Sequence, residues 1–189
     1  MRKVLVSLIA LLAIALMPGV ASATHSNGQG PDKDFISGSG KGPLPTPFGT
    51  FPAHYEANGQ SDASGGAPAT GHWFTVICPN EDVNNPPCST NPFVAQLAPV
   101  TISGDIVCVN NNGNQSAWRG VITQSSTVLA PVGFGVFSRW VDNGEGANDP
   151  PDQQTGFLTP PPGPNPSCPI APFPTQPNLQ GNLVVHDGI

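Results

Sequence analysis

Between Val100 and Thr123 the chain reads VTISGDIVCVNNNGNQSAWRGVIT, and its first half alternates. Val100, Ile102, Gly104, Ile106 and Cys108 fall on one face, with Thr101, Ser103, Asp105, Val107 and Val109 on the other. A two-residue period is that of a strand, and from Ile106 to Val109 both faces are apolar. Asn110 to Asn114 supplies residues that tolerate positive φ, which predicts a reversal through a loop of about three to five residues before Ala117 to Thr123 returns. The rest of the chain agrees with this hairpin. Beyond the N-terminus no stretch carries a capped 3.6-residue apolar period, and short strand candidates are separated by Gly, Pro and Asn turns. The fold class expected is all-β: a single antiparallel β-sandwich or partly open barrel with long Pro/Gly-rich loops.

The N-terminus has a separate logic. Arg2 and Lys3 precede an apolar run from Val4 to Met17, and Ala21-Ser22-Ala23 offers a small-residue cleavage site. That is the pattern of a secretory signal peptide over residues 1–23, with an apolar run short of the roughly 20 residues a spanning helix needs. Beyond it only Lys33, Lys41, Arg119 and Arg139 oppose the twelve acidic residues, a net charge of −8. So acidic a chain lacks the electrostatic footprint of a nucleic-acid binder and is repelled by anionic lipid. An extracellular, secreted protein follows, with an unknown protein or envelope component as partner, no nucleic acid, and no membrane insertion after cleavage.

Residues 24–47, rich in Gly, Ser, Pro and Asp, read as a flexible leader, and residues 48–189 as the domain. GSGKG at Gly38 to Gly42 lacks the spacing of a phosphate-binding loop. Strands are expected at Phe48–Ala57, with Pro52 marking an edge, at His72–Cys78, Phe93–Leu97, Val128–Val141, Thr155–Leu158 and Gly181–Asp187. The proline-rich excursion over residues 159–177 is excluded from helix and sheet interior and runs as extended coil. Cys78, Cys88, Cys108 and Cys168 all lie in the exported part, where disulfides are the default and sequence alone allows three pairings. The turn-rich PNEDVNNPP between Cys78 and Cys88 favours a local bridge, leaving Cys108 to tie the proline-rich excursion to the hairpin through Cys168.

The chain resembles a loosely defined group of secreted bacterial proteins in Val107-Cys108-Val109, Gly113-Asn114, Gly120-Val121-Ile122, Val141-Asp142-Asn143-Gly144-Glu145 and Gly181-Asn182-Leu183-Val184-Val185-His186-Asp187. The resemblance covers about half of the chain beyond residue 23. It implies a single all-β secreted domain and brings no activity, substrate or catalytic residue.

Chemistry-bearing clusters are sparse. The acidic loop holding Asp142, Glu145, Asp149 and Asp152 offers hard oxygens of the kind calcium takes, though not at EF-hand spacing; the same Asp, Asn and Gly residues also serve a plain turn. His25, His54, His72 and His186 are scattered, and no nucleophile elbow occurs. Trp73, Trp118 and Trp140 sit in strand candidates, as core or as a partner-binding patch. The sequence therefore supports a non-catalytic binding or structural module, with a small secreted hydrolase built from loops as the alternative.

Overall fold

The computed structural model describes residues 33–46, 49–62, 64–78, 99–144 and 148–188. The expected signal peptide, the start of the leader, Cys88, the Phe93–Leu97 strand and Glu145 lie outside them. Nine strands are formed: β1 Phe35–Thr46, β2 Gly49–Gln60, β3 Thr70–Ile77, β4 Val100–Asn112, β5 Gln115–Ser125, β6 Gly135–Val141, β7 Gln153–Thr159, β8 Gln176–Pro177 and β9 Gln180–His186. All pair antiparallel in one sheet of order β8-β7-β6-β5-β4-β3-β2-β1-β9, which curls into a half-barrel. The all-β expectation holds in its partly open barrel form.

Alternation sorts the side chains into a concave and a convex face. Tyr55, Ala57, Trp73, Ile102, Ile106, Trp118, Ile122, Trp140 and Leu183 are buried together inside the curl. On the convex face Cys108, Ala117, Phe137 and Cys168 form a second cluster. Strict alternation along β4 would have placed Cys108 beside Ile106. A register shift between Ile106 and Cys108 prevents this. With one extra residue in β4, Cys108 turns outward and Val109 inward, since a single-residue slip exchanges the faces of everything that follows. The hairpin turn is also tighter than expected. Strand pairing continues to Asn112↔Gln115, leaving two residues to turn, with Gly113 at φ 57°.

Where a flexible leader was expected, residues 35–46 are β1, paired with β2 along its whole length and with β9 over Phe35–Lys41. The reason lies in its glycines. Gly38, Gly40 and Gly42 recur every second residue opposite Ala57, Tyr55 and Ala53. A Cβ on Gly40 would meet the Tyr55 hydroxyl at 2.1 Å, so a side chain there would displace the tyrosine. GSGKG is thus the inward face of a strand. The edge assignment of Pro52 is corrected too: β2 lies between β1 and β3. Pro52 is tolerated at the end of the ladder, where its carbonyl accepts the Cys78 N–H at 2.9 Å. Beyond Lys41, β1 is no longer paired with β9. The Lys41 carbonyl faces outward to accept the Leu179 N–H at 2.7 Å, so Pro43 and Pro45 occupy the next positions whose N–H would face that way. Proline at those positions removes the donors another strand would need.

Side chains take over where ladder bonds stop. Asp152, 5% exposed, accepts the Asn143 N–H at 2.8 Å and the Leu183 N–H at 2.7 Å. Asp142 accepts the Val185 N–H at 3.1 Å and the Gly144 N–H at 2.9 Å. The two carboxylates substitute for the carbonyls of an absent neighbour strand, linking the β6–β7 connection to β9 across the seam between the two sides of the curled sheet. The Asp152 carbonyl also accepts the Asn178 N–H at 2.8 Å, and Tyr55 donates its hydroxyl to Asn178 Oδ1. Burial and the charge of Asp152 push the Tyr55 phenol well above its ordinary range, so it remains a neutral donor.

At this closed end Asp34, 1% exposed, accepts the N–H groups of Asn111 and Gly188, both at 2.9 Å. Asn111 donates onward to the carbonyls of Phe35 and His186, and Asp187 accepts the Gly113 N–H at 2.7 Å. Burial raises the Asp34 carboxyl above its ordinary value of 3.8, the nearby Asp187 charge adds to this, and the two amide donors oppose it. The native state therefore holds this proton more tightly than the unfolded chain. Its contribution is full below pH 3.8 and is lost as pH rises through the elevated native value. Against the Asp34→Asn variant, the wild type is expected to gain relative stability as the medium is acidified through that window. Urea midpoints measured for both at several pH values check this, and a pH-independent difference would contradict it.

The proline-rich excursion crosses the convex face without strand structure until β8. Cys168 is bonded to Cys108, Asn110 donates to the Cys168 carbonyl at 3.0 Å, and Arg139 Nη1 donates to the Phe173 carbonyl at 2.7 Å. Phe173 packs on Phe137 and Phe157 at ring separations of 5.4 and 5.1 Å. Cys78 is disulfide-bonded as well, and the other half of its expected bridge falls outside the described residues.

Candidate functional site

The interior of the half-barrel is unevenly filled. Toward the closed end Ile36, Ile106, Val109 and Leu183 fill it completely. Toward the other end, where the β1–β2 and β5–β6 connections and the ends of β3 and β7 lie, a cavity of about 570 Å³ remains. Its floor is aromatic. Trp73, Trp118 and Trp140 come from the inward positions of β3, β5 and β6, spaced 6.1 Å (Trp73–Trp118) and 6.0 Å (Trp118–Trp140), with Tyr55 6.2 Å from Trp140. Phe51, Ile77, Val100, Ile102, Leu129, Val136 and Leu158 complete the walls.

Glycines make the floor possible. A Cβ on Gly120 would lie 2.2 Å from the Trp73 indole nitrogen and one on Gly104 3.0 Å from it, so the ring occupies the space those side chains would take. The N–H groups of the three indoles are fully buried and have no hydrogen-bond partner among the described residues. Sealed off in this way, they leave carbon as the surface that the rings present to the cavity.

Three polar side chains at the wall are already engaged. Tyr55 donates to Asn178, Ser138 Oγ donates to the Thr155 carbonyl, and Thr127 Oγ1 accepts the Leu129 N–H. Gln154 differs. It is 5% exposed, faces the cavity from β7 opposite Trp140, and no hydrogen bond holds its carboxamide among the described residues. Its amide atoms are not among the fully buried ones and open onto the cavity, so a guest able to hydrogen-bond them gains about 0.5–1.5 kcal/mol.

The described carboxylates of the acidic loop are placed by backbone contacts: a Cβ on Gly144 would lie 2.8 Å from Asp149 Oδ2, and the Gly144 N–H donates to Asp142. Asp142 and Asp152 face backbone amides of the β6–β7 connection and β9, Asp149 is exposed, and Glu145 lies outside the described residues. No group of three or more His, Cys, Asp or Glu gathers as a metal site among the described residues. His72 sits 3.6 Å from Asp105 on the convex face, both more than half exposed, away from the cavity. His186 stacks on Phe35 at 4.8 Å. Sequence reasoning placed the three tryptophans in strands but missed that they share one cavity, and it passed over Gln154. A Trp or Gln at an inward strand position was the available signal. No protein-family model, curated protein or solved structure matches the chain.

Proposed function

We propose that this protein is an exported, non-catalytic binding module that holds a small hydrophobic molecule inside the half-barrel. The observation that carries the reading is the cavity of about 570 Å³ with its tryptophan floor, open at one end. Small-molecule sites are concave, mostly apolar and of roughly 300–1,000 Å³, with few polar groups to set orientation, and barrel mouths are among their preferred places. Gln154 supplies such a group, so the guest is a hydrocarbon or aromatic body bearing one compact hydrogen-bonding head. The leader pattern at residues 1–23 and the Cys108–Cys168 bond, which suits an oxidising compartment, support export.

Titration with the neutral fluorescent hydrophobe N-phenyl-1-naphthylamine tests the reading. Saturable uptake at one site per chain is expected, with energy transfer from the tryptophans. A long-chain alcohol should then displace the dye about tenfold better than the alkane of equal length, and Gln154→Leu should narrow that difference, as one buried hydrogen bond implies. Non-saturable uptake, or no tryptophan-sensitised emission, would refute the cavity as the binding site.

A further inference from the structure

The open end carries a second feature that the cavity reading does not use. Between β5 and β6 the chain leaves the sheet through Ser126–Phe134, and this connection is firmly built. The Ser126 N–H donates to the Thr101 carbonyl and the Gly133 N–H to the Ile122 carbonyl, both at 2.9 Å, while buried Ala130 anchors the middle. From this ordered tip Val128, Leu129 and Val132 project with 89%, 60% and 62% of their surface exposed. Leu129 also lines the cavity, so the exposed apolar surface is continuous with the interior.

Charge is segregated along the same axis. The described stretches around the open end, residues 42–46, 49–53, 75–78, 99–102, 122–137 and 156–164, contain no Asp, Glu, Lys, Arg or His. Asp34, Asp62, Asp142, Asp149 and Asp187 all belong to the closed end or the connections that leave it. Among the described residues the closed end is therefore suited to water and the β5–β6 tip to a neutral, apolar phase; the β3–β4 connection at this end, with Glu81 and Asp82, lies outside them.

We propose that the open end docks on the surface of an uncharged lipid layer, with Val128 and Val132 entering its interface. The cavity then opens directly onto the hydrocarbon from which a guest is drawn; that last clause rests on the cavity reading, whereas docking does not. Amphipathic surface elements that seat apolar side chains at the headgroup boundary bind in proportion to the apolar area they bury. An acidic protein gains nothing from anionic headgroups. An extended protein strand is the poorer occupant, because prolines stand at positions 43 and 45 where β9 leaves β1 unpaired.

The experiment is flotation of the protein with phosphatidylcholine vesicles and, separately, with vesicles containing phosphatidylglycerol. Binding to phosphatidylcholine is expected, no stronger with the anionic lipid. The Val128→Asp/Val132→Asp double variant should bind about tenfold or more weakly, from losing two buried aliphatic side chains. Both residues lie outside the cavity lining, so the variant should take up N-phenyl-1-naphthylamine as the wild type does. Absent flotation, flotation unchanged in the variant, or a marked preference for anionic vesicles would each overturn the docking proposal. So would a wild-type dimer in sedimentation that the variant dissolves, which would assign the tip to a second copy. Loss of dye uptake by the wild type with flotation intact would instead remove the cavity reading and leave docking standing.

Discussion

The Trp118→Ala variant is expected to lose about 3–5 kcal/mol of stability, the range for truncating a buried tryptophan. Trp118 is the middle ring of the row, 6.1 Å from Trp73 and 6.0 Å from Trp140. Removing it withdraws the contacts of both neighbours and extends the existing cavity into the floor, where the surrounding strands, fixed by their ladder bonds, have little freedom to collapse. A chain of this size with one core has a total stability of about 5–15 kcal/mol, so the variant approaches the threshold of unfolding. Trp118→Phe keeps most of the volume and should retain the fold at a cost of about 1–3 kcal/mol, which separates loss of the floor from loss of the protein. Urea denaturation of both variants, followed by dye titration of the phenylalanine form, gives the comparison. A Trp118→Ala midpoint close to wild type would show that the aromatic row is not what holds the sheet curled.

Replacing Cys108 and Cys168 together by serine is expected to cost about 4 kcal/mol, the entropy of closing a loop of this length in the unfolded chain. The bridge joins residues 60 apart in sequence. Its removal loosens the proline-rich excursion, which keeps the Asn110, Arg139 and Thr175 hydrogen bonds and the packing of Ile170 and Phe173 on the convex face. The excursion should then detach from the convex face before the sheet unfolds, exposing Phe137. Equilibrium unfolding under non-reducing conditions, with limited proteolysis of the 160–175 segment, measures both effects. A cost below about 1 kcal/mol with unchanged proteolysis would mean that the non-covalent contacts are enough to hold the segment. The concave cavity lies on the other side of the sheet, so dye uptake should survive in whatever fraction stays folded.

Much of this arrangement was legible in the residues themselves. Inward positions of β2, β3 and β6 follow directly from alternation, because Tyr55, Trp73 and Trp140 each stand two residues from another inward side chain. The tie between the hairpin and the proline-rich excursion was also readable, since the turn-rich spacer between Cys78 and Cys88 left Cys108 and Cys168 to each other. Two readings are instructive. β1 read as a linker because its inward face is glycine, which carries no hydrophobic signal. The period of two was nevertheless present in Gly38, Gly40 and Gly42, with Ser37, Ser39 and Lys41 between them. Asp142 and Asp152 looked like candidate calcium ligands because short acidic side chains around Asn and Gly suit ligation, turns and backbone capture equally well. Which of these they serve depends on whether unpaired amides lie within reach, and the amides of Leu183 and Val185 come from a strand about thirty and forty residues later.

By itself, then, the sequence determined the strands, most of their turns, the absence of helix from the described residues and the covalent tie across the convex face. These follow from local rules: side-chain period, the dihedral limits of glycine and proline, and the position of cysteines. Tertiary structure decided the rest. The bulge that exchanges the faces of Cys108 and Val109, the glycines that admit the Trp73 and Tyr55 rings, the carboxylates that bridge the open seam, and the void above the tryptophans all depend on register between strands distant in sequence. Alternation tells a residue which face it shares with its neighbours, but only the curl of the whole sheet decides what that face encloses.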